Sequence, residues 1–126
     1  MTSFESVPVN ALLGLRLVRR APDAATVEMR PQPEMLQEHG VVHGGILALL
    51  ADTAAVYLTH PFLEEGRRMA SIEFKVNFLA PATADGGTLT AAASLVRRGK
   101  RVVVAESRVT QGDTEVLRGM FTYALL

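Results

Sequence analysis

Residues 37–59 read QEHGVVHGGILALLADTAAVYLT, a glycine-rich loop that runs into a long apolar stretch. Three glycines within residues 40–45 allow the loop backbone to take positive φ values and to approach a ligand closely. From about Gly44 to Thr59 the sequence predicts a helix, and because it is apolar on nearly every side we expect that helix to be buried. The dipeptide His60-Pro61 predicts its end, since a residue that precedes proline is disfavoured in the α conformation.

Asp52 interrupts the apolar pattern of this helix. Its neighbours three and four residues away are Ala48, Leu49, Ala55 and Val56. A carboxylate in such surroundings is costly unless it is paired or unless its cost serves a function. We therefore take Asp52 as the first candidate for a catalytic residue. The alternative is a structural acid, paired with an arginine of a partner subunit or with a backbone N–H.

Two strands are predicted before the helix and four after it. In chain order they cover Leu13–Arg20, Ala25–Arg30, Ser71–Phe78, Thr88–Arg97, Arg101–Thr110 and Val116–Leu125. The order is β-β-α-β-β-β-β, and we expect hairpins to join the last four strands in an antiparallel sheet. One buried helix can be covered only if that sheet wraps around it. The sequence thus predicts a single α+β domain over residues 1–126.

The composition excludes several classes of protein. Of 126 residues 48% are apolar, 13 are basic, 13 are acidic and none is cysteine. Zero net charge argues against nucleic-acid binding or an anionic membrane surface, and the lack of cysteine excludes disulfides and thiolate metal sites. The apolar run Ile46–Ala51 is too short for a membrane span, and the N-terminal residues lack a signal-peptide pattern. We expect a cytoplasmic protein whose surplus apolar surface meets a partner subunit.

The loop and the helix together resemble the hotdog-fold acyl-CoA thioesterases, in particular the phenylacetic-acid-pathway branch and the related 4-hydroxybenzoyl-CoA thioesterases. The residues that carry the resemblance are Gln37, Gly40, His43, Gly44, Gly45 and Asp52. The stretch Ser71–Pro81 is similar to the strand that follows the helix in that family. One position departs from the pattern of the phenylacetic-acid branch, which has asparagine where this chain has Gln37. Relatives that use glutamate as the acid have glutamine there, so this chain mixes two patterns.

The resemblance implies the hotdog fold, hydrolysis of an acyl-CoA without a cofactor or a metal, and roles for individual residues. Asp52 would act as a general base on water or as a nucleophile. Gly44 would donate its backbone N–H to the oxyanion, since the N–H groups at a helix N-terminus are unpaired and the dipole there is positive. Gln37 would orient the carbonyl or the water. Ser71 would hold the water, or else is only a strand residue.

His43 and Gly45 are expected to contact the substrate. For His43 we favour a loop histidine that hydrogen-bonds the backbone over a catalytic role, because the neighbouring glycines indicate a site built from backbone groups. A zinc site formed by His39, His43 and Asp52 is disfavoured, since the two histidines lie in a loop and not on one helix face.

Four basic residues fall within five positions of a predicted hairpin. They are Arg97, Arg98, Lys100 and Arg101. The functional interpretation is a clamp for the phosphates of CoA. The alternative is a solvated hairpin tip, where charges contribute little to binding or stability.

The expected assembly is a homodimer or a dimer of dimers. Gly44 and Asp52 are eight residues apart, which is about 12 Å along a straight helix and too far for both to act on one thioester. We therefore expect each site to combine Gly44 of one chain with Asp52 of its partner.

Two other functions are alternatives to the thioesterase. They are an acyl-CoA binding or sensor module without turnover, which gains nothing from a buried acid, and a hotdog dehydratase. The acyl group stays open, with aryl and medium-chain groups as candidates.

Overall fold

The computed structural model describes residues 3–126, in which one long helix lies against a six-stranded antiparallel sheet. The helices are α1 (Pro8–Leu13) and α2 (Gly44–Thr59). The strands are β1 (Arg16–Ala21), β2 (Ala24–Met29), β3 (Met69–Phe78), β4 (Leu89–Arg98), β5 (Val102–Gln111) and β6 (Thr114–Leu125). Their order across the sheet is β1-β2-β4-β5-β6-β3. The predicted succession of strands around one central helix is confirmed, with the short α1 ahead of it.

The sheet wraps around α2 because both surfaces carry small apolar residues. On the helix, Ala51, Ala54 and Ala55 are fully buried. The strands contribute the buried alanines Ala25, Ala91, Ala93 and Ala105. Short side chains allow close approach, and the apolar surface removed from water stabilises the packing. By length and composition residues 44–62 could cross a membrane, with a mean hydropathy of 1.2, but here α2 packs against β2, β4, β5 and β6.

β3 does not form the expected hairpin with β4. It pairs instead with β6 at the edge of the sheet, where Val76 lies opposite Gly119. A glycine is required there, because a Cβ would lie 2.6 Å from both the Lys75 carbonyl oxygen and Val76 Cγ1. The hairpin prediction was wrong because residues 79–88 connect the two strands, a longer segment than a tight hairpin turn uses.

Gln111 fastens this connection to the end of β5. Its Oε1 accepts from the Thr83 N–H at 2.9 Å, and its Nε2 donates to the carbonyls of Thr83 and Gly87 at 2.9 and 3.0 Å. The connection in turn holds the glycine-rich loop, since the Ala82 carbonyl accepts from the Val42 N–H at 2.8 Å. Gln111 therefore supports the segment that leads into α2.

Pro61 sets the end of α2, but not in the expected way. His60 keeps the α conformation (φ −48°, ψ −43°), and one 3₁₀ turn, His60–Phe62, follows. Pro61 has no N–H to donate to the carbonyl of Tyr57. That carbonyl accepts instead from Arg20 Nη2 at 3.0 Å, which ties β1 to the C-terminal end of the helix.

β1 begins at Arg16 and not, as expected, at Leu13. Leu13 is the last residue of α1, which Gly14 terminates in the left-handed conformation with φ 63°, a conformation that glycine adopts without steric cost. The other strands begin and end within two residues of the predicted positions.

β1 forms the edge of the sheet opposite β3. Half of its six residues are arginines, at positions 16, 19 and 20. A register shift between Leu17 and Arg19 interrupts its pairing with β2. Charges and irregular pairing of this kind protect a sheet edge from pairing with further strands.

We expect the substitution Gln111→Ala to destabilise the fold. It removes three hydrogen bonds, each of which contributes about 0.5–1.5 kcal/mol. Urea denaturation should give a clearly lower midpoint than for the matched control Gln32→Ala, since Gln32 is exposed. A shift no larger than that of the control would show that the connection does not depend on Gln111.

Candidate active site

The first turn of α2 has one backbone N–H that stays free. His43 caps the helix, since its Nδ1 accepts from the Gly45 N–H at 2.9 Å and its carbonyl accepts from the N–H groups of Ile46 and Leu47 at 3.0 and 3.2 Å. Within residues 3–126 the Gly44 N–H has no such partner. A free N–H at the positive end of a helix dipole is well placed to stabilise an oxyanion.

His43 therefore hydrogen-bonds the backbone, the role favoured from the sequence. Because Nδ1 accepts a hydrogen bond, the proton of the neutral ring is on Nε2. His43 is exposed, so that Nε2–H can donate to a ligand. Gly45, also expected to contact the substrate, has its N–H engaged by His43.

His39 lies apart from this cap. It is exposed, and its Nε2 is 3.5 Å from Glu38 Oε1. In the part of the chain that the structure describes, no three histidine, aspartate or glutamate side chains are grouped to hold a metal ion.

An apolar groove opens beside Gly44. Its volume is about 370 Å³, and its lining is Val42, Gly44, Leu47, Phe78, Leu79, Ala80, Pro81 and Ala82. The ring of Phe78 lies over Gly44. A Cβ added to that glycine would be only 3.1 Å from Cε1 and Cζ of the ring. The free N–H thus lies at the wall of a cavity that an apolar group can enter.

Gln37 is fixed by the turn of the glycine-rich loop. Its N–H donates to the Val41 carbonyl at 2.9 Å, and its own carbonyl accepts from the Gly40 N–H at 3.1 Å. Its side-chain Oε1 accepts from the His39 N–H at 2.7 Å. The carboxamide oxygen is therefore occupied, and the NH₂ group is the part of Gln37 left to donate to a ligand.

Asp52 is partly buried and makes a short hydrogen bond to β6. The hydroxyl of Tyr123 donates to its Oδ1 at 2.6 Å. Burial raises the pKa of Asp52 above its ordinary value, and the hydrogen bond from Tyr123 offsets part of that rise. A carboxyl group with a raised pKa is a stronger base once it is ionised.

Tyr123 is the site residue that the sequence interpretation missed. It is 1% exposed and lies among the buried residues Leu117, Phe121 and Leu125 of the same strand face. A tyrosine in a row of apolar side chains needs a hydrogen-bond partner. The position of Tyr123 among apolar side chains was therefore a signal in the sequence that its hydroxyl has a hydrogen-bond partner. The identity of that partner, Asp52, depends on how β6 packs on α2.

Ser71 lies next to this pair. It is exposed and stands directly opposite Tyr123 in the pairing of β3 with β6, just before a register shift between Ser71 and Glu73. Directly opposed residues of antiparallel strands have their side chains on the same face. Ser71 and Tyr123 therefore lie on the same face of the sheet, the face from which Tyr123 contacts Asp52 of α2.

The basic hairpin lies at the other end of the helix. Arg97, Arg98, Lys100 and Arg101 are all exposed. The guanidinium of Arg98 is 4.2 Å from the ring centroid of Phe62, in the turn that follows α2. A cavity of about 410 Å³ is lined there by Phe62, Glu64, Arg67, Arg98, Gly99, Lys100 and Leu125.

The expected site residues therefore form three groups along α2. Gln37, His43, Gly44 and Gly45 lie at its N-terminus. Asp52 contacts Tyr123, opposite which Ser71 lies on β3, and the four basic residues lie beyond the C-terminus of the helix. Within one chain these groups are spread over the length of the helix.

Comparison with known proteins decides the family, since residues 39–117 match the thioesterase superfamily. The chain belongs to this superfamily. A putative esterase of Halobacterium salinarum is 43% identical to this chain over 102 residues. The matched part is 73% of this chain and 66% of the esterase. The medium/long-chain acyl-CoA thioesterase YigI of Escherichia coli is 31% identical over 114 residues, which are 79% of the chain and 72% of YigI.

The acyl-coenzyme A thioesterase PaaI of Escherichia coli is 33% identical over 106 residues, covering 84% of the chain and 73% of PaaI. The solved structure of PaaI superposes on this chain with a TM-score of 0.87 at 28% identity, over 98% of this chain and 87% of PaaI. PaaI is a protein of the phenylacetic acid degradation operon. These findings confirm the hotdog fold of this superfamily member and its likeness to the phenylacetic-acid branch.

In this thioesterase-superfamily protein we expect Asp52→Asn to stabilise the fold at neutral pH. The raised pKa of Asp52 means that the folded state opposes its ionisation. Stability is therefore lost as the pH rises from the unfolded pKa to the folded one. An asparagine does not ionise, and it still accepts from Tyr123.

Denaturation curves should coincide for variant and wild type below about pH 4 and separate towards pH 7, where the variant is the more stable. The control is Asp113→Asn in the exposed turn before β6. An Asp52→Asn protein that is less stable than wild type at pH 7 would contradict the assigned environment.

Proposed function

We propose that the chain hydrolyses acyl-CoA thioesters to the free acid and CoA, without a cofactor, through Asp52 and the Gly44 N–H. By its family the chain is a thioester hydrolase. The relatives YigI and PaaI, named as acyl-CoA thioesterases, support the substrate class. The observation that carries the mechanism is the free Gly44 N–H beside an apolar groove, on the same helix as a carboxyl group with a raised pKa.

Asp52 acts in one of two ways that need the same residues. As a general base, it takes a proton from a water whose oxygen bonds to the thioester carbon. The carbonyl oxygen becomes an oxyanion that accepts from the Gly44 N–H. The C–S bond then breaks, and the proton passes to the CoA sulfur. As a nucleophile, Asp52 itself bonds to that carbon, CoA leaves, and water hydrolyses the anhydride.

Gln37 and Ser71 assist this chemistry. The NH₂ of Gln37, which donates to no residue among 3–126, is a donor for the thioester carbonyl or for the water. The hydroxyl of Ser71 holds the attacking water, a role supported by its position opposite Tyr123, whose own hydroxyl contacts Asp52. His43 supplies a further donor at the mouth of the site through Nε2–H.

Each site is shared between two chains. Gly44 and Asp52 are eight residues apart on α2, about 12 Å along its axis. The lean of helical side chains towards the N-terminus recovers only about 2–3 Å. One carbon cannot then be within about 3 Å of both groups. An antiparallel helix from a two-fold partner brings a second Asp52 to the first Gly44.

The open edge of β3 supports this pairing. β3 has β6 as its one neighbour in the described sheet. Three large apolar side chains on it are about half exposed, Ile72 at 53%, Phe74 at 48% and Phe78 at 56%. Exposed apolar surface along an open strand edge is suited to pairing with another chain. We propose a homodimer formed through β3, and a dimer of dimers as the larger assembly.

The basic hairpin then holds CoA across the dimer. In an antiparallel pair of helices the C-terminal end of one approaches the N-terminal end of the other. The hairpin of one chain is thereby brought towards the Gly44 of its partner. Guanidinium groups suit contacts with phosphate, and Arg97, Lys100 and Arg101 are exposed for it. The apolar lining of the groove beside Gly44 supports an aryl or medium-chain acyl group.

The first test removes only the oxyanion donor. Gly44→Pro deletes the N–H, and proline is favoured at the first position of a helix. The residue before it, His43, already has an extended ψ of 134°, as a residue before proline requires. Gly44→Ala adds the same Cβ beside Phe78 but keeps the N–H, and is the matched control.

Release of thiol from a panel of acyl-CoAs should show kcat at least about 100-fold lower for Gly44→Pro than for Gly44→Ala. Equal kcat values for the two folded variants would remove Gly44 as the donor. Turnover of none of the acyl-CoAs by the wild type would remove the proposed substrate class.

The second test asks whether the site is shared. Gly44→Pro and Asp52→Asn chains, each inactive alone, are unfolded together and refolded. About half of the dimers are then mixed by random pairing, and each mixed dimer has one site with an intact Gly44 and an intact Asp52. Activity should return to about a quarter of wild type by the same statistics. If mass spectrometry confirms mixed dimers and no activity returns, the shared site is wrong.

A further inference from the structure

Tyr123 is a buried ionisable residue to which the mechanism above gives no part. Its strand neighbours are Ser71 on β3 and Val103 on β5. It is 1% exposed, so the position of its ring is fixed by the core of the sheet. The hydroxyl at the end of that ring is 2.6 Å from Asp52 Oδ1 and 3.4 Å from the carbonyl oxygen of the same residue.

The contact involves Oδ1 of the carboxylate, and in the part of the chain that the structure describes Oδ2 accepts no hydrogen bond. A length of 2.6 Å is typical of an O–H donor on an ionised acceptor, which is among the stronger hydrogen bonds in proteins. Asp52 is on a helix, where it can take more than one side-chain rotamer. A donor held rigidly by β6 selects the rotamer that places Oδ1 against it.

We propose that Tyr123 is a positioning residue that holds Oδ1 of Asp52 and so makes Oδ2 the oxygen that takes the proton from water or attacks the thioester. The inference rests on the proposed function of Asp52. Tyr123 acts through Asp52 and does not touch the substrate.

The charges around the pair favour this division of roles. Burial, and then the neighbouring carboxylate, raise the pKa of Tyr123 above its ordinary range, so the phenol stays protonated and serves only as a donor. It neither supplies nor removes a proton during the reaction. Within residues 3–126, the buried positions of β2, β4, β5 and β6 contain no charged side chain. Of the titratable groups on these strands, Tyr123 is the one that contacts Asp52. From β1, Arg20 also reaches α2, but at the carbonyl of Tyr57 near the end of the helix.

The test is Tyr123→Phe, which keeps the ring and deletes the hydroxyl. Loss of a hydrogen bond to a charged group should lower kcat about 10- to 100-fold and leave KM for acyl-CoA nearly unchanged. Since the hydrogen bond lowers the pKa of Asp52, its loss should move the acid limb of the kcat/KM profile to higher pH. A purely structural tyrosine would not move that limb.

The matched control is Tyr57→Phe. This tyrosine of α2 has its hydroxyl 3.5 Å from Asn10 Nδ2 and away from the site. It should have the wild-type kcat and pH profile.

A second measurement covers the case in which Tyr123→Phe does not fold. The chain has two tyrosines, so fluorotyrosine incorporated into the Tyr57→Phe protein labels Tyr123 alone. A more acidic phenol donates more strongly, and the acid limb should move to lower pH. An unmoved limb in this protein, or in a folded Tyr123→Phe protein, overturns the inference.

The two proposals fail separately. An Asp52→Asn protein with near wild-type kcat would remove the proposed function, whatever Tyr123 does. An inactive Asp52→Asn protein together with an unchanged Tyr123→Phe profile would remove only the role of Tyr123.

Discussion

The close approach of α2 to the inner face of the sheet is the constraint on which the site depends. It is possible because alanines line both surfaces where they meet, as at Ala51, Ala54 and Ala91. Larger side chains would hold the helix further out, since a core tolerates little added volume. At the distance that alanine allows, the hydroxyl of Tyr123 reaches Asp52. The packing that buries the helix therefore also fixes its one acid.

At the opposite end of the helix, the glycine-rich loop leaves the Gly44 N–H, the proposed oxyanion donor, without a hydrogen-bond partner within residues 3–126. The His43 side chain accepts from the Gly45 N–H, and the His43 carbonyl accepts from the N–H groups of two further residues of the first turn. Among the first four residues of α2, only the N–H of Gly44 therefore has no acceptor within residues 3–126. A side chain at that position would meet the ring of Phe78. The pairing of β3 with β6 thus determines which residue flanks the donor.

Much of this fold follows from local patterns, whereas the partners of each element do not. The bounds of α2 and of β3 depend on residues close in sequence, and both were predicted within two residues. The pairing of β3 with β6 depends on the path of residues 79–88, which Gln111 fixes from another strand. Asp52 was recognisable because its helical neighbours are apolar. Its contact with Tyr123 was not, because the register of α2 on β6 is set by packing alone.

The two edges of the sheet differ in kind, and this difference limits how chains can associate. β1 carries three arginines and an interrupted register, and Arg20 is committed to the end of α2. β3 carries exposed apolar side chains and, although its register also shifts once, beyond Ser71, it has no arginine. A sheet with one blocked edge and one open edge can accept a single neighbour by strand pairing. The homodimer proposed through that edge would therefore close at two chains and would not continue into a fibre.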